Sequence, residues 1–278
     1  MPKLEVEQGI ELYYEELGSG DKYVLSLMMD FPPISTTREL AKNGYHVFLI
    51  SNRGIGKSTH IFEDYGIEWF DIFAKDVVTF ADKMGIDKFI YMGCSHGAGT
   101  GWHICLRYPE RVSAFISMSG GPHNISEAQW SYRQMREQGI VTKPMEPDHS
   151  ADEALSKRQA INDAYAKQNF LEQSSPEEKA LNYRRPLLYL ETEEKLQEAL
   201  RTIQTPTLML CCVEDPICRP DLTLRTAECL PNGKTVLYSG FGHGGPYSFI
   251  VEECLEETLN FLRNVEETGK PYKKVIQE

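Results

Sequence analysis

The chain has 278 residues, a formal net charge of −12 and 41% hydrophobic residues, enough apolar content for one large α/β domain with an insertion or for two small domains. The acidic balance argues against nucleic acid and anionic membranes as partners, because a phosphate backbone needs a basic face to release its counterions. Seven cysteines, at 94, 105, 211, 212, 218, 229 and 254, are odd in number and irregular in spacing, which speaks against a disulfide framework and for a reducing compartment.

The opening Met1-Pro2-Lys3-Leu4-Glu5 lacks the apolar core of a signal peptide, and no run approaches the roughly 18 apolar residues of a membrane span. A cytoplasmic protein with a small-molecule partner is expected. Cys212 and Cys218 stand close enough to suggest a metal pair, but a second matching pair is missing, so neither metal nor cofactor is expected.

Residues 4 to 16 alternate loosely through Leu4, Val6, Ile10, Leu12 and Tyr14 around Gln8-Gly9, the pattern of an edge hairpin. An apolar strand is predicted over Tyr23 to Met29, a helix over Thr36 to Asn43 ended by Gly44, and a buried strand over His46 to Ile50. The spacing of Trp69, Phe73, Val77, Phe80, Ala81 and Met84 predicts a long helix stopped by Gly85. A strand at 88 to 92, a Gly-rich turn, a helix at Thr100 to Tyr108 and a strand at Val112 to Met118 follow. The strand and helix alternation then stops. Residues 122 to 200 carry Pro122, Pro144, Pro147, Pro176 and Pro186, dense charge, and helical patterns around Ser126 to Glu137 and Asp152 to Phe170, which reads as an inserted helical cap. Alternation resumes with strand Thr207 to Cys212, helix Leu222 to Leu230, strand Thr235 to Ser239 and helix Phe249 to Leu262, and the last dozen residues read as a tail. The expected architecture is a mostly parallel sheet flanked by helices, built from 1–121 and 201–278 with the insertion at 122–200, and its chemistry should gather at the carboxyl ends of the strands.

Gly93-Cys94-Ser95-His96-Gly97 falls where a strand turns into a helix. A serine there is forced into a strained conformation, with its hydroxyl at the helix N-terminus and glycines either side because a Cβ would collide with neighbouring elements. A serine hydroxyl needs a base, and the base an orienting acid. Strand 207 to 212 runs into Glu214-Asp215-Pro216, and strand 235 to 239 into Gly242-His243-Gly244. The glycines flanking His243 suggest a mobile turn. The order Ser95, Asp215, His243 is that of a nucleophile elbow. Gly56-Lys57-Ser58 mimics a phosphate loop, but Ser51 stands where its first glycine belongs and no helix opens at Lys57.

With these motifs the chain resembles the α/β-hydrolases over nearly its whole length except the insertion, and Arg53-Gly54-Ile55-Gly56 is similar to the family's turn after the second parallel strand. The resemblance implies Ser95 as nucleophile, His243 as general base and then acid, and Asp215 as orienting carboxylate, with Glu214 the disfavoured neighbour because the family's acid precedes the Pro-Ile pair. It also implies an oxyanion hole from the N–H groups of His96 and Phe31. Where the family usually carries His-Gly, this chain reads Met28-Met29-Asp30-Phe31-Pro32-Pro33, which puts Asp30 beside the substrate. That departure, with the Gly-Cys-Ser-x-Gly-Ala elbow, resembles fungal lactonases that open the macrocycle zearalenone, although their acid lies at the end of the strand before the cap, where this chain has Ser119. His123, Trp130 and Tyr183 are candidate substrate contacts, and Tyr132, Met135, Phe170, Leu187 and Tyr189 would complete an apolar roof, while His103 reads as structural. The expected activity is serine-dependent cleavage of an ester or lactone of a small to medium apolar molecule. Carbon–carbon hydrolysis of a diketone, perhydrolysis, and, because of Asp30, a non-catalytic small-molecule receptor are the alternatives.

Overall fold

The computed structural model describes residues 2–28, 32–122, 124–125, 132–168 and 175–272. Its strands are β1 (Lys3–Glu7), β2 (Ile10–Leu17), β3 (Lys22–Met28), β4 (Tyr45–Ser51), β5 (Phe89–Cys94), β6 (Val112–Met118), β7 (Thr207–Cys212) and β8 (Gly233–Tyr238). They form one sheet in the order β1-β2-β4-β3-β5-β6-β7-β8. The expected edge hairpin is β1 with β2, antiparallel to each other and to β4. Every other pairing is parallel.

Parallel strands are covered on both faces, so their side chains alternate between two apolar layers. Leu25, Leu27, Phe89, Tyr91, Phe115, Met209 and Cys211 face one layer, with α2 (Trp69–Lys83) and α3 (His96–Arg107). Val24, Met28, Ile90, Met92, Ile116, Leu208 and Leu210 face the other, with α1 (Thr36–Lys42) and α9 (Val251–Thr268). The helical spacing read in α2 puts Trp69, Phe73, Val77, Phe80 and Ala81 in the first layer. Between β7 and β8 runs α8 (Pro220–Cys229).

From β3 the chain crosses through α1 to β4, whereas β5 lies on the opposite side of β3. The winding therefore diverges at β3 and β5, and a crevice opens at their carboxyl ends.

The segment between β6 and β7 carries α4 (Tyr132–Glu137), α5 (Glu153–Ala166), α6 (Pro176–Ala180) and α7 (Glu193–Thr202). The Asp152 carboxylate starts α5 by accepting the N–H groups of Ala154 and Leu155, which satisfies donors that a helix start leaves over. Of the two helical patterns predicted here, 126–131 and 169–170 lie outside the described residues, as do Met29 and the tail from 273. The last helix departs from expectation. A π turn occupies Gly245–Phe249, Ile250 breaks the helical dihedrals, and α9 runs on to Thr268 before Gly269 ends it with φ 68°. No helix among the described residues is long and apolar enough to cross a membrane.

The turn after β4 that mimics a phosphate loop has a packing role. The Arg53 guanidinium donates from Nε and Nη2 to the two Asp76 oxygens at 2.8 and 2.6 Å, and both side chains are almost fully buried. Ser58 Oγ donates to the Ser51 carbonyl. Truncating one partner of a buried ion pair strands the other charge. Asp76→Ala leaves the buried Arg53 guanidinium with only the exposed Glu7 carboxylate, 2.9 Å away, and is expected to cost up to about 3–5 kcal/mol of stability, read as a drop in the urea midpoint without change in slope.

Candidate active site

One residue separates β5 from α3, and it must reverse the chain. Ser95 does so with φ 51° and ψ −113°, a region that costs a non-glycine residue about 1–3 kcal/mol and is kept only where surroundings enforce it. They do: the Ser95 N–H donates to the Met118 carbonyl, the Gly99 N–H to the Ser95 carbonyl, and the Tyr91 hydroxyl to the Gly97 carbonyl. A Cβ at Gly93 would overlap the Gly97 carbonyl carbon, and one at Gly97 would overlap the Leu27 carbonyl oxygen. Because His96 is the first residue of α3, its N–H has no helical acceptor behind it and points at the space beside Ser95.

The chain leaving β7 brings in Asp215, whose Oδ1 accepts the N–H groups of Ile217 and Cys218 at 2.8 and 2.9 Å. Its Oδ2 lies 2.8 Å from His243 Nδ1, and His243 Nε2 lies 2.9 Å from Ser95 Oγ. A carboxylate can only accept, so Nδ1 carries the proton and Nε2 is left to accept from the serine hydroxyl. Asp215 and His243 are 2% and 6% exposed. Glu214 turns away and accepts the Gly240 N–H.

The turn holding His243 is pinned, contrary to the mobility its glycines suggested. The N–H groups of Gly242, His243 and Gly244 donate in succession to Glu146 Oε1, the Met145 carbonyl and Glu146 Oε2 at 2.8, 2.7 and 2.9 Å. Gly242 is small for that reason, since a Cβ there would overlap the Met145 carbonyl oxygen.

A cavity of about 20 Å³ adjoins Ser95, room for about one water. Its walls include Phe70, His96, Arg184, Arg185 and Cys218. His96 stacks on Phe70, with centroids 6.0 Å apart and planes at 7°. Burial, then the charges of Arg185 and His243, push its pKa down to about 4. Tyr183, expected to contact substrate, instead packs behind His96 against Trp69 and Phe73 and is not on the wall of this cavity. Leu187 and Tyr189 are also drawn away from it. The Leu187 N–H donates to His103 Nε2, and Tyr189 lies under the Arg107 guanidinium. His103, bonded through Nδ1 to Asp71, is structural as expected. Asp30, Phe31, His123, Trp130 and Phe170 lie outside the described residues.

Sequence reading missed Arg184 and Arg185. Their adjacency before Pro186 was visible, but their place on the wall depends on how the inserted segment returns, and Arg184 does so at φ 60°. All seven cysteines are free. Among the described residues, Asp215, Cys218 and His243 group closely enough to ligate a metal. Each is already engaged within the protein, Cys218 through a thiol that donates to the Ser119 carbonyl at 2.7 Å.

Residues 30–250 match the alpha/beta hydrolase fold family. A bifunctional esterase/perhydrolase of Acinetobacter calcoaceticus is 22% identical over 93% of this chain and 98% of its own. A zearalenone hydrolase of Cladophialophora bantiana is 28% identical over 54% of this chain and 60% of its own. The chain also matches a bifunctional epoxide hydrolase of Sus scrofa at 31% identity over 41% of its length, but spans only 21% of that relative. An alpha/beta hydrolase from a Medee basin deep-sea metagenome superposes over 99% of this chain and all of its own, with a TM-score of 0.70 at 15% identity.

The low pKa of His96 sets a pH window. Its folded value of about 4 lies below the ordinary 6.5, so between those values the unfolded chain binds more protons and stability falls as pH falls. Above 6.5 the group contributes no slope. The urea midpoint is expected to drop more between pH 7 and pH 5 in the wild type than in His96→Gln.

Proposed function

The chain belongs to the alpha/beta hydrolase fold family, and from that premise we propose that it is a serine hydrolase cleaving a carboxylic ester or lactone of a small to medium, largely apolar molecule through an acyl-enzyme. The observation that carries this reading is the unbroken hydrogen-bond chain from Ser95 Oγ through His243 to Asp215.

In this mechanism Ser95 Oγ attacks the substrate carbonyl while His243 Nε2 takes its proton. The imidazolium so formed keeps its Nδ1 proton on Asp215, whose other oxygen is fixed by two backbone N–H groups. The oxyanion forms at the N-terminus of α3, against the His96 N–H and the positive end of the helix dipole. His243 then protonates the leaving alcohol, which in a lactone stays tethered to the acyl group. Water attacks the acyl-enzyme, His243 takes its proton, and Ser95 departs protonated. A neutral His96 suits this site, because a second imidazolium there would oppose protonation of His243.

Residues 122–200 act in this reading as a helical cap over a core of 1–121 and 201–278. Arg184, Arg185 and Pro186 contribute to the wall of the cavity. Relatives named esterase/perhydrolase and zearalenone hydrolase lend support to ester-type substrates. The buried Arg185 on the wall, whose charge reaches His96, favours one alternative on the same machinery. Hydrolysis of a carbon–carbon bond in a diketone expels an enolate, which a neighbouring cation stabilises.

Ser95→Ala is expected to lower kcat on p-nitrophenyl esters by about 10⁴–10⁶ and Asp215→Asn by about 10⁴. Full esterase activity in Ser95→Ala would end the proposal. Parallel assays on esters, lactones and 1,3-diketones separate the two substrate readings.

A further inference from the structure

Loops that carry a catalytic histidine must hold the ring to within a few tenths of an ångström, because misplacement by about 1 Å costs on the order of 100-fold in rate. Here the restraint comes from another part of the chain. Met145 and Glu146 belong to the segment inserted between β6 and β7, about a hundred residues before His243 in sequence. Between them they accept three consecutive N–H groups, with the two Glu146 oxygens on either side of the histidine and the Met145 carbonyl on the histidine itself. A carboxylate is suited to this, since it offers two acceptors in one rigid plane and makes charge-assisted bonds stronger than neutral ones.

The grip extends along the segment. His149 Nε2 lies 3.1 Å from Glu146 Oε1, and its ring packs between Phe241 and Phe249, with centroids 5.0 and 5.1 Å away. Those two aromatic residues bracket the histidine turn in sequence. Further out, Arg158 of α5 donates to the Phe249 carbonyl and to Glu252. It touches none of the three N–H groups.

We propose that Glu146 is a positioning residue for the reaction: by holding the backbone on both sides of His243 it keeps the imidazole bridged between Ser95 and Asp215, and the catalytic chain is aligned only while residues 145–149 are seated. The inference rests on the serine-hydrolase reading for its effect on rate, and on geometry alone for its effect on the histidine. Glu146 itself moves no proton and touches no substrate. A substrate or mutation that unseats 145–149 disconnects the base from the nucleophile, so ester turnover is coupled to closure of the inserted segment.

The test compares Glu146→Gln, Glu146→Asp and Arg158→Ala in the full chain. Gln keeps the size of the side chain but turns an N–H₂ toward one of the two donors. Arg158→Ala removes the bonds of α5 to the Phe249 carbonyl and Glu252 and leaves residues 145–149 seated. Four readouts are taken: kcat and KM on p-nitrophenyl butyrate, the rate of Ser95 labelling by a fluorophosphonate, the urea midpoint, and the downfield proton resonance of the His243 Nδ1–H bonded to Asp215, assigned by its loss in His243→Ala. Glu146→Gln is expected to lower kcat and labelling about 10- to 100-fold with KM nearly unchanged, and to lose or broaden that resonance. Glu146→Asp should recover part of the rate, and Arg158→Ala should keep both rate and resonance. Wild-type kcat and an intact resonance in Glu146→Gln would overturn the inference. So would an equal loss in Arg158→Ala at an equal loss of stability, which would reduce Glu146 to a structural contact. If the wild type turns over no ester while the resonance still depends on Glu146, the positioning role stands and the hydrolase reading falls.

Discussion

The backbone at residue 95 is the constraint on which the remaining geometry depends. A chain leaving a central parallel strand has to reverse into a helix within one residue, and Ser95 does this in a conformation that an L side chain ordinarily avoids. The reversal persists because its surroundings leave no alternative. The strand is bonded to its neighbours on both sides, the helix is packed into one apolar layer through Trp102, Ile104 and Cys105, and glycines at 93 and 97 leave room for the backbone of Gly97 and Leu27 to come close. Strain at this point lifts the hydroxyl clear of the sheet and aims the first N–H of α3 at the space beside it.

The partners reach that hydroxyl by two different kinds of restraint. Asp215 is fixed locally, by the N–H groups of the two residues that follow Pro216. His243 is fixed from a distance, by main chain and carboxylate of the inserted segment. The carboxylate end of the chain is thus rigid within the core fold, while the imidazole in the middle depends on an element outside the sheet.

The sheet and the elbow were legible in the sequence because their signals are local. Period-two and period-3.6 patterns, together with the glycine at 85 after the long helix, follow from backbone sterics and burial that act over a few residues. Ser95, Asp215 and His243 were legible for the related reason that a parallel sheet sends the ends of its strands to one edge, so polar residues just past β5, β7 and β8 had to meet there. What stayed hidden depends on the path of the insertion. Arg184, Arg185 and Glu146 lay unmarked within the dense charge of the insertion, and Tyr183 read as a substrate contact. Their positions are set by where a segment rich in proline and charge lands on the core, which no local pattern encodes. The glycines around His243 carried the right signal with the wrong meaning. They reflect close approach of the Met145 carbonyl rather than freedom to move.

The proposed acyl-enzyme is a covalent bond at one hydroxyl, and rapid-quench mass spectrometry during turnover of an activated ester observes that bond directly. It should find the acyl mass on the peptide containing Ser95, appearing in a burst and disappearing as substrate is exhausted. Acylation of another residue such as Cys94 or Cys218, or steady turnover with no adduct at any time in a mutant series where Ser95→Ala remains active, would contradict it.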